Sequence, residues 1–233
     1  MNILALDTST EYCSVALWRD GVVLAQNVHA GQKHSEMLMP MLHDLFEESG
    51  IGLMQCDGIA FGSGPGSFTG VRIACGVAQG LALGAGLPVA GISTLLALAA
   101  GTGRTRVISA LDARMGEIYF AVYEKTESGW LEAVEPSLCK PADAPAIPIG
   151  DWFGAGSGFS AFSEILQSRY SGQLIGMDGN ALPMAENIAA LGALQFSRGL
   201  GVDAALAQPF YLRDKVALKT SEREQMALDK PGK

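Results

Sequence analysis

The chain has 233 residues, of which 48% are hydrophobic, 7% aromatic and 17% charged. This length is enough to bury a core without metals or disulfides, and the non-periodic glycines and prolines exclude collagen and low-complexity disorder. Acidic side chains outnumber basic ones by 24 to 16, and the net charge of −8 argues against a protein that binds nucleic acid or a membrane surface by itself.

Cysteine usage and the amino terminus both indicate a cytoplasmic protein. The chain contains four widely spaced cysteines without a CxxC motif, namely Cys13, Cys56, Cys75 and Cys139. This spacing favours buried thiols in a reducing compartment. The first residues, MNILALD, lack the basic region of a signal peptide. The uncharged stretch 73–103 is rich in Ala and Gly and contains Pro88, which predicts several short elements and not a membrane span.

The first hundred residues alternate between strand and helix patterns. Apolar runs and turn signals predict five strands, at 2–8, 13–18, 22–28, 58–62 and 88–92. Apolar residues at helical spacing predict three helices, at 35–49, 69–85 and 94–100. Ser35 is the expected cap of the first helix, and Gly50 its expected end. Pro40 lies beyond the first turn, where it should bend this helix or delay its start.

The second half begins the same kind of pattern again. It predicts strands at 107–111, 118–123 and 130–134, a loop at 136–150, and helices near 161–168 and 184–198. The polar segment after Arg213 is expected to be a mobile tail. We therefore divide the chain into an N-terminal lobe (1–103), a C-terminal lobe (104–215) and a tail (216–233).

The two halves also match in sequence. Ala5-Leu6-Asp7 aligns with Ala110-Leu111-Asp112 at an offset of 105 residues, and 16–18 aligns with 121–123 at the same offset. In each half, a buried strand ends in Asp and a second strand begins several residues later. Repetition of one supersecondary unit predicts two similar α/β halves packed across a cleft. This is the duplicated, two-lobed architecture of actin, Hsp70 and sugar kinases, here with a reduced second lobe.

Two features could place chemistry in such a cleft. Asp7 could order a metal and a phosphate there, although Asp also commonly caps a turn through its own side chain. The loop 62–70 is the densest glycine cluster, and Gly64, Gly66 and Ser67 could form a vestigial anion or nucleotide loop. The cluster matches neither the P-loop nor the Rossmann fingerprint, and a tight strand-to-helix turn would need the same glycines. An ATP-binding phosphotransferase or hydrolase of the actin-like superfamily is therefore an alternative function.

Motifs for metal binding or nucleophilic catalysis are weak. The three histidines, His29, His34 and His43, form no pair at i,i+4, and neither HExxH nor GxSxG occurs. We therefore predict no resident metal and no cofactor. A glycoprotease-like metallopeptidase is the third-ranked function.

The two longest predicted helices carry unusual surfaces. In the helix 69–85, glycines and alanines each recur at i,i+4, at Gly76, Gly80 and Gly84 and at Ala74, Ala78 and Ala82. Such a smooth surface lets another helix or a sheet approach closely, although core packing against the sheet is the better explanation. Met37, Met39 and Met41 in the preceding helix are flexible apolar side chains that suit an adaptable interface.

Six segments resemble, in matching order, the TsaB (YeaZ) family of the tRNA threonylcarbamoyladenosine system. They are ILALDTST, HSEMLMPML, CDGIAFGSGPGSFTGVRIACGVAQGLAL, PVAGISTLLALA, LDARMGEIYFAVY and QPFYLRD. The most specific is the run from Gly62 to Gly70 followed by Arg72, and the resemblance extends to about residue 215. It implies the two-lobed actin-like fold. It also implies a role in transferring threonylcarbamoyl to N6 of adenosine 37 in tRNAs that read codons beginning with A.

The resemblance implies a partner protein and not an enzyme. In this system TsaD is the catalytic paralogue and TsaE is an ATPase, and family members pair with TsaD and can self-associate as a homodimer. The two metal-binding histidines of TsaD fall here on Thr94 and Leu98, and neither side chain replaces imidazole at a transition metal. Because the chain is acidic, any contact with tRNA is expected through TsaD or through the tail after Arg213.

The helices 35–49 and 69–85 are the expected partner interface. The predicted contacts are Met37, Leu38, Met41, Leu45, Val71, Ile73 and Ala74, with Arg72 as a polar anchor. A charge in a desolvated interface costs several kcal/mol. The substitution Met41→Glu is therefore expected to weaken the complex without unfolding the chain.

Overall fold

The computed structural model describes residues 1–213, which form two five-stranded mixed sheets. Sheet 1 contains β1 (Asn2–Asp7), β2 (Tyr12–Arg19), β3 (Val22–His29), β4 (Gly58–Gly64) and β5 (Val89–Ser93). Sheet 2 contains β6 (Arg106–Asp112), β7 (Ile118–Thr126), β8 (Gly129–Cys139), β9 (Trp152–Ala155) and β10 (Leu174–Asp178). The helices are α1 (His34–Ser49), α2 (Phe68–Ala85), α3 (Thr94–Gly101), α4 (Ser157–Ala161), α5 (Ser163–Arg169) and α6 (Ala185–Ser197). The predicted tail 216–233 lies outside the described residues.

Both sheets have the same strand order, which confirms the predicted duplicated fold. The order is β3-β2-β1-β4-β5 in sheet 1 and β8-β7-β6-β9-β10 in sheet 2. In each sheet the first three strands pair antiparallel, and the last two run parallel to the first. The second copy is one residue shorter at its first hairpin, because Ala5 lies opposite Ala16 whereas Ala110 lies opposite Phe120. The predicted match of 16–18 with 121–123 is therefore displaced by one residue.

The helices cover both faces of each sheet. The outer face of sheet 1 packs on α1 and α2, and the outer face of sheet 2 packs on α4 and α5. Between the sheets, α3 and α6 each pack against the sheet of the other half. α3 follows sheet 1 in the chain but contributes Leu95, Leu98 and Ala99 to the core of sheet 2, whereas α6 follows sheet 2 but contributes Ile188 and Leu191 to that of sheet 1. The predicted boundary between residues 103 and 104 lies between the two sheets in the chain, but it separates α3 from sheet 2 and α6 from sheet 1.

The second half has a shorter connection between its third and fourth strands. In the first half this connection is α1, with 16 residues. In the second half it is irregular chain with a single 3₁₀ turn at Pro141–Asp143. The strands that follow, β9 and β10, have only four and five residues and each contains a glycine, so the apolar pattern did not predict them.

α1 begins at His34, so the expectation that Pro40 delays the helix is wrong. Pro40 lies on the exposed side of the helix, where water can satisfy the carbonyl group that has lost its donor. Ser35 is not the cap, since no side chain caps this helix. Instead, Nε2 of His34 lies 2.9 Å from the carbonyl oxygen of Thr10 and ties the helix to the turn after β1. Gly50 ends the helix in the left-handed conformation, as predicted.

Five of the predicted interface residues belong to the core of the chain. These residues, each at most 6% exposed, are Leu38, Met41, Leu45, Val71 and Ala74. Helical spacing explains the error, because an amphipathic helix on a sheet turns its most regular apolar stripe towards that sheet. Met41→Glu would place a charge in the core, so it is expected to unfold the chain. Of the remaining three, Met37 and Ile73 are half-buried and Arg72 is exposed.

Two methionines of α1 provide a matched test of this packing. Met41 is 6% exposed and Met39 is 49% exposed. Met41→Ala leaves a cavity under α1 and should lower the free energy of unfolding by about 2–5 kcal/mol. Met39→Ala should change it by less than about 0.5 kcal/mol, because a surface substitution creates no cavity. Urea denaturation of both variants checks the difference, and equal losses would contradict the burial of this stripe.

Candidate functional site

A cleft of about 890 Å³ opens between the two sheets. Most of its lining comes from the turn after β1, the start of α2, the β6–β7 turn and the chain at 210–213. The cleft lies where the duplicated fold predicts a ligand site, at the carboxyl ends of β1 and β6.

Asp7 does not line this cleft. Its side chain is 1% exposed and lies beneath β4. Oδ2 accepts hydrogen bonds from the backbone N–H and the hydroxyl group of Ser9, whereas Oδ1 has no hydrogen-bond partner among the described residues. A Cβ atom on Gly62 would lie 1.8 Å from Oδ1 and 3.2 Å from the Cδ1 atom of Ile188 in α6. The carboxyl group is therefore enclosed by β4 and α6, and it does not fit a role as ligand of a metal–phosphate in the cleft.

Burial raises the pKa of Asp7 from 3.8 to about 6, and the hydrogen bonds from Ser9 oppose this shift only in part. The unfolded chain ionises this group above pH 3.8, whereas the folded chain retains the proton until about pH 6. The folded state therefore loses stability as the pH rises through this window, and the loss is constant above it.

Replacing Asp7 with Asn tests this enclosure. The amide does not ionise, so Asp7→Asn should gain stability over the wild type between about pH 4 and 6, by on the order of 3 kcal/mol, and keep this gain at higher pH. The free energy of unfolding of both proteins, measured at several pH values, checks the prediction. If the difference in the free energy of unfolding between the two proteins does not vary with pH, the carboxyl group of Asp7 is solvated and not enclosed.

The glycine loop forms a tight turn against the chain after β1. A Cβ atom on Gly66 would lie 2.6 Å from the carbonyl oxygen of Ser9, and one on Gly70 would lie 1.8 Å from that of Thr8. The N–H of Ser67 donates to the carbonyl oxygen of Ser9 at 2.7 Å, and the Ser67 hydroxyl accepts from the N–H of Gly70 at 3.3 Å. These glycines allow close backbone contact, and the N–H of Ser67, which was expected to help bind an anion, already has a partner.

The corresponding elements of the second half are similarly closed. Asp112, the counterpart of Asp7, lies at the cleft but accepts hydrogen bonds from the backbone and side chain of Arg114. After β9, Cβ atoms on Gly156 and Gly158 would lie 2.4 Å and 2.8 Å from atoms of Ala110. This glycine-rich segment therefore packs closely on β6.

The two positions where a metal-binding histidine was considered are part of the core. Thr94 is 0% exposed and donates its hydroxyl to the carbonyl oxygen of Pro65, and Leu98 is 1% exposed. These side chains do not fit a metal site. Elsewhere among residues 1–213, one group could hold an ion, formed by His43, Asp44 and Glu47 on α1, but all three are exposed and none lines the cleft.

A short segment ties the two lobes together across the cleft. The N–H of Phe210 donates to the carbonyl oxygen of Ser63 in β4 at 2.7 Å. Three residues later, Arg213 donates to the carboxylate of Glu117 at 2.6 Å and to the carbonyl oxygen of Ala113 at 3.2 Å, both in the β6–β7 turn. These contacts restrict the opening that a ligand-binding cleft needs.

α2 presents two opposite stripes of small residues. Ala74, Ala78 and Ala82 are buried on sheet 1, whereas Gly76, Gly80 and Gly84 are exposed with no atom within 4 Å of an added Cβ. A shift of two positions turns a helical side chain by about 200°, so the alanines pack on the sheet while the glycines face solvent. We call the exposed side the glycine face, defined by Thr69, Arg72, Ile73, Gly76, Val77, Gly80, Leu83 and Gly84.

The glycine face is apolar for an exposed surface. Leu83 is 77% exposed, and Ile73 and Val77 are half-buried beside the glycines. Among the described residues, α2 is the one helix long and apolar enough to cross a membrane, although its alanine stripe belongs to the core of sheet 1. The glycine spacing is visible in the sequence, but Gly76, Gly80 and Gly84 were not among the predicted interface residues.

Comparison with protein families gives a consistent result. The family described as "TsaD: tRNA N6-adenosine threonylcarbamoyltransferase" matches residues 23–220 of the chain. The tRNA threonylcarbamoyladenosine biosynthesis protein TsaB of Escherichia coli (strain K12) is 43% identical over 228 residues, which cover 94% of this chain and 97% of that protein. The protein of the same name from Haemophilus influenzae is 39% identical, and the alignment covers 94% of this chain and 96% of the relative.

Solved structures agree with the sequence relatives. YeaZ from Pseudomonas aeruginosa superimposes with a TM-score of 0.84 at 41% identity and covers 91% of this chain and 99% of that one. A second structure from the same organism, described as an uncharacterized protein with similarity to peptidase YEAZ, gives a TM-score of 0.83 over the same shares of both chains.

Proposed function

The chain belongs to the TsaB (YeaZ) family of tRNA threonylcarbamoyladenosine biosynthesis proteins, and from this premise we propose that it serves this modification as a non-catalytic partner subunit. The observation that carries the proposal is the exposed, apolar glycine face of α2. The neighbouring cleft lacks the Asp7 carboxyl group, which is enclosed in the core. The expected site of action is the cytoplasm.

The glycine face has the properties of a surface that another helix covers. Three glycines in a row at i,i+4 let a partner backbone approach without steric conflict, and exposed apolar neighbours gain free energy when they are removed from water. α1 contributes Met39, which is 49% exposed, and Met37, which is half-buried. We therefore assign the docking surface to these exposed residues. They take the place of the predicted contacts that are buried, namely Leu38, Met41, Leu45, Val71 and Ala74.

The proposed occupant is the catalytic paralogue TsaD, and TsaE is the expected third component. The TsaD family matches most of this chain, so the two proteins are expected to present related helices to each other. A homodimer through the same face is the competing occupant. The acidic charge of the chain favours indirect contact with tRNA, because a subunit that binds tRNA extensively should be basic.

The proposal that the subunit is not an enzyme is supported by its own cleft. A phosphotransferase or hydrolase would need the Asp7 carboxylate at the ligand, but this group lies beneath Gly62 and Ile188. A metallopeptidase would need donors where Thr94 and Leu98 are buried. No observation on the described residues therefore favours either of these two alternative functions.

Gly80→Leu tests the docking surface. The larger side chain blocks close approach of a partner helix, and overpacking of this kind costs about 1–3 kcal/mol, so the Kd for TsaD should rise roughly tenfold to a hundredfold. The fold should not weaken, because Leu is a better helix former than Gly.

Calorimetric titration of TsaD with the wild type and the variant measures the effect. Ser168→Leu, which places the same side chain on the exposed side of α5, is the matched control and should bind as the wild type does. Unchanged affinity in Gly80→Leu would remove this face from the proposal. Threonylcarbamoylation of tRNA by TsaD and TsaE, assayed with and without this chain, tests the role itself.

A further inference from the structure

The glycine face carries a single charged side chain. α2 contains no Asp, Glu or Lys, and its one charged residue is Arg72 in the second turn. The surrounding surface consists of glycines and apolar side chains, in a chain whose net charge is −8. An isolated cation in such a surface needs an explanation, because a partner that covers it must also remove water from its guanidinium group.

Two aromatic rings hold this guanidinium group in place. Its Cζ atom lies 3.2 Å from the centre of the Phe68 ring and 4.8 Å from that of Tyr211, and Nη1 donates to the carbonyl oxygen of Phe68 at 3.1 Å. Tyr211 belongs to the segment that ties the two lobes together, so the rest of the fold fixes its position. Stacking of this kind stabilises the cation and reduces the conformational entropy that is lost when it binds a ligand.

None of the ion pairs within residues 1–213 involves Arg72. Arg72 is exposed, and its one hydrogen bond uses Nη1, so Nε and Nη2 remain available for two parallel N–H···O bonds, the arrangement in which Arg binds a carboxylate. Covering it with an apolar partner would leave a buried, unpaired charge, which is strongly unfavourable.

We propose that Arg72 determines the specificity of the docking surface by binding a carboxylate on the docking helix of the partner subunit. This inference rests on the proposed function and adds the chemistry of the partner to it. Phe68 and Tyr211 are positioning residues, which act by holding the guanidinium group.

The same feature discriminates between the two candidate occupants. A second copy of this chain that packs α2 against α2 brings no acidic side chain from that helix to Arg72. A partner with a carboxylate at this position satisfies the cation, so it is favoured over a homodimer that packs α2 against α2. Complementary charges favour one partner, and an unpaired buried charge disfavours the other.

The test compares two substitutions on the glycine face with a matched control. Arg72→Gln should raise the Kd for the partner subunit at least tenfold and reduce its dependence on salt between about 0.05 and 0.5 M NaCl. Arg72→Lys should recover only part of the affinity, because an ammonium group cannot form the bidentate pair. Arg104→Gln is the control, since that exposed guanidinium also stacks on a ring, at 5.0 Å from Phe153, but lies away from α2.

Further measurements separate this inference from the proposed function. One carboxylate of the partner subunit should, when replaced by Lys, restore its binding to the Arg72→Glu variant. Arg72→Gln should leave self-association unchanged, as measured by sedimentation. If Gly80→Leu abolishes binding while Arg72→Gln binds as the wild type does, the role of Arg72 is wrong and the docking surface stands. If neither substitution has an effect, the docking surface itself is wrong, and a loss of self-association in Arg72→Gln would overturn the proposed selectivity.

Discussion

The enclosure of the Asp7 carboxyl group between β4 and α6 is the constraint on which the rest of the structure depends. Gly62 is required because any side chain there would collide with Oδ1, and Ile188 closes the site from the other half of the chain. α6 packs on sheet 1 through Ile188, Ala189 and Leu191, and this packing ties the two lobes together. As a consequence, the acidic residue at the end of β1 contributes to the core and not to the chemistry of the cleft.

The same arrangement explains why α2 is available to a partner. The exchange of α3 and α6 and the contacts of Phe210 and Arg213 join the lobes on the inner side and across the cleft. α2 lies on the outer face of sheet 1, where its alanines pack inward and its glycines face solvent. The protein thus combines a tied cleft with a smooth, apolar helix, as expected for a subunit that acts by docking.

The sequence was sufficient to predict the duplicated fold, because short runs such as Ala5-Leu6-Asp7 and its repeat carry the strand pattern directly. It was not sufficient to show which side of a helix is buried. Leu38 and Met41 follow the helical spacing that an interface and a core share, so their burial depends on the position of sheet 1. The enclosure of Asp7 depends on Ile188, some 180 residues away in the chain, and no local pattern encodes such a contact.

The rate of threonylcarbamoyladenosine formation tests the central claim most directly. It would be measured with TsaD, TsaE and the threonylcarbamoyl-adenylate synthase, with Asp7→Asn and Gly80→Leu each replacing the wild-type chain. We expect Asp7→Asn to support the wild-type rate and Gly80→Leu to reduce it. Loss of the reaction in Asp7→Asn, in a chain that remains folded and binds TsaD, would contradict this claim.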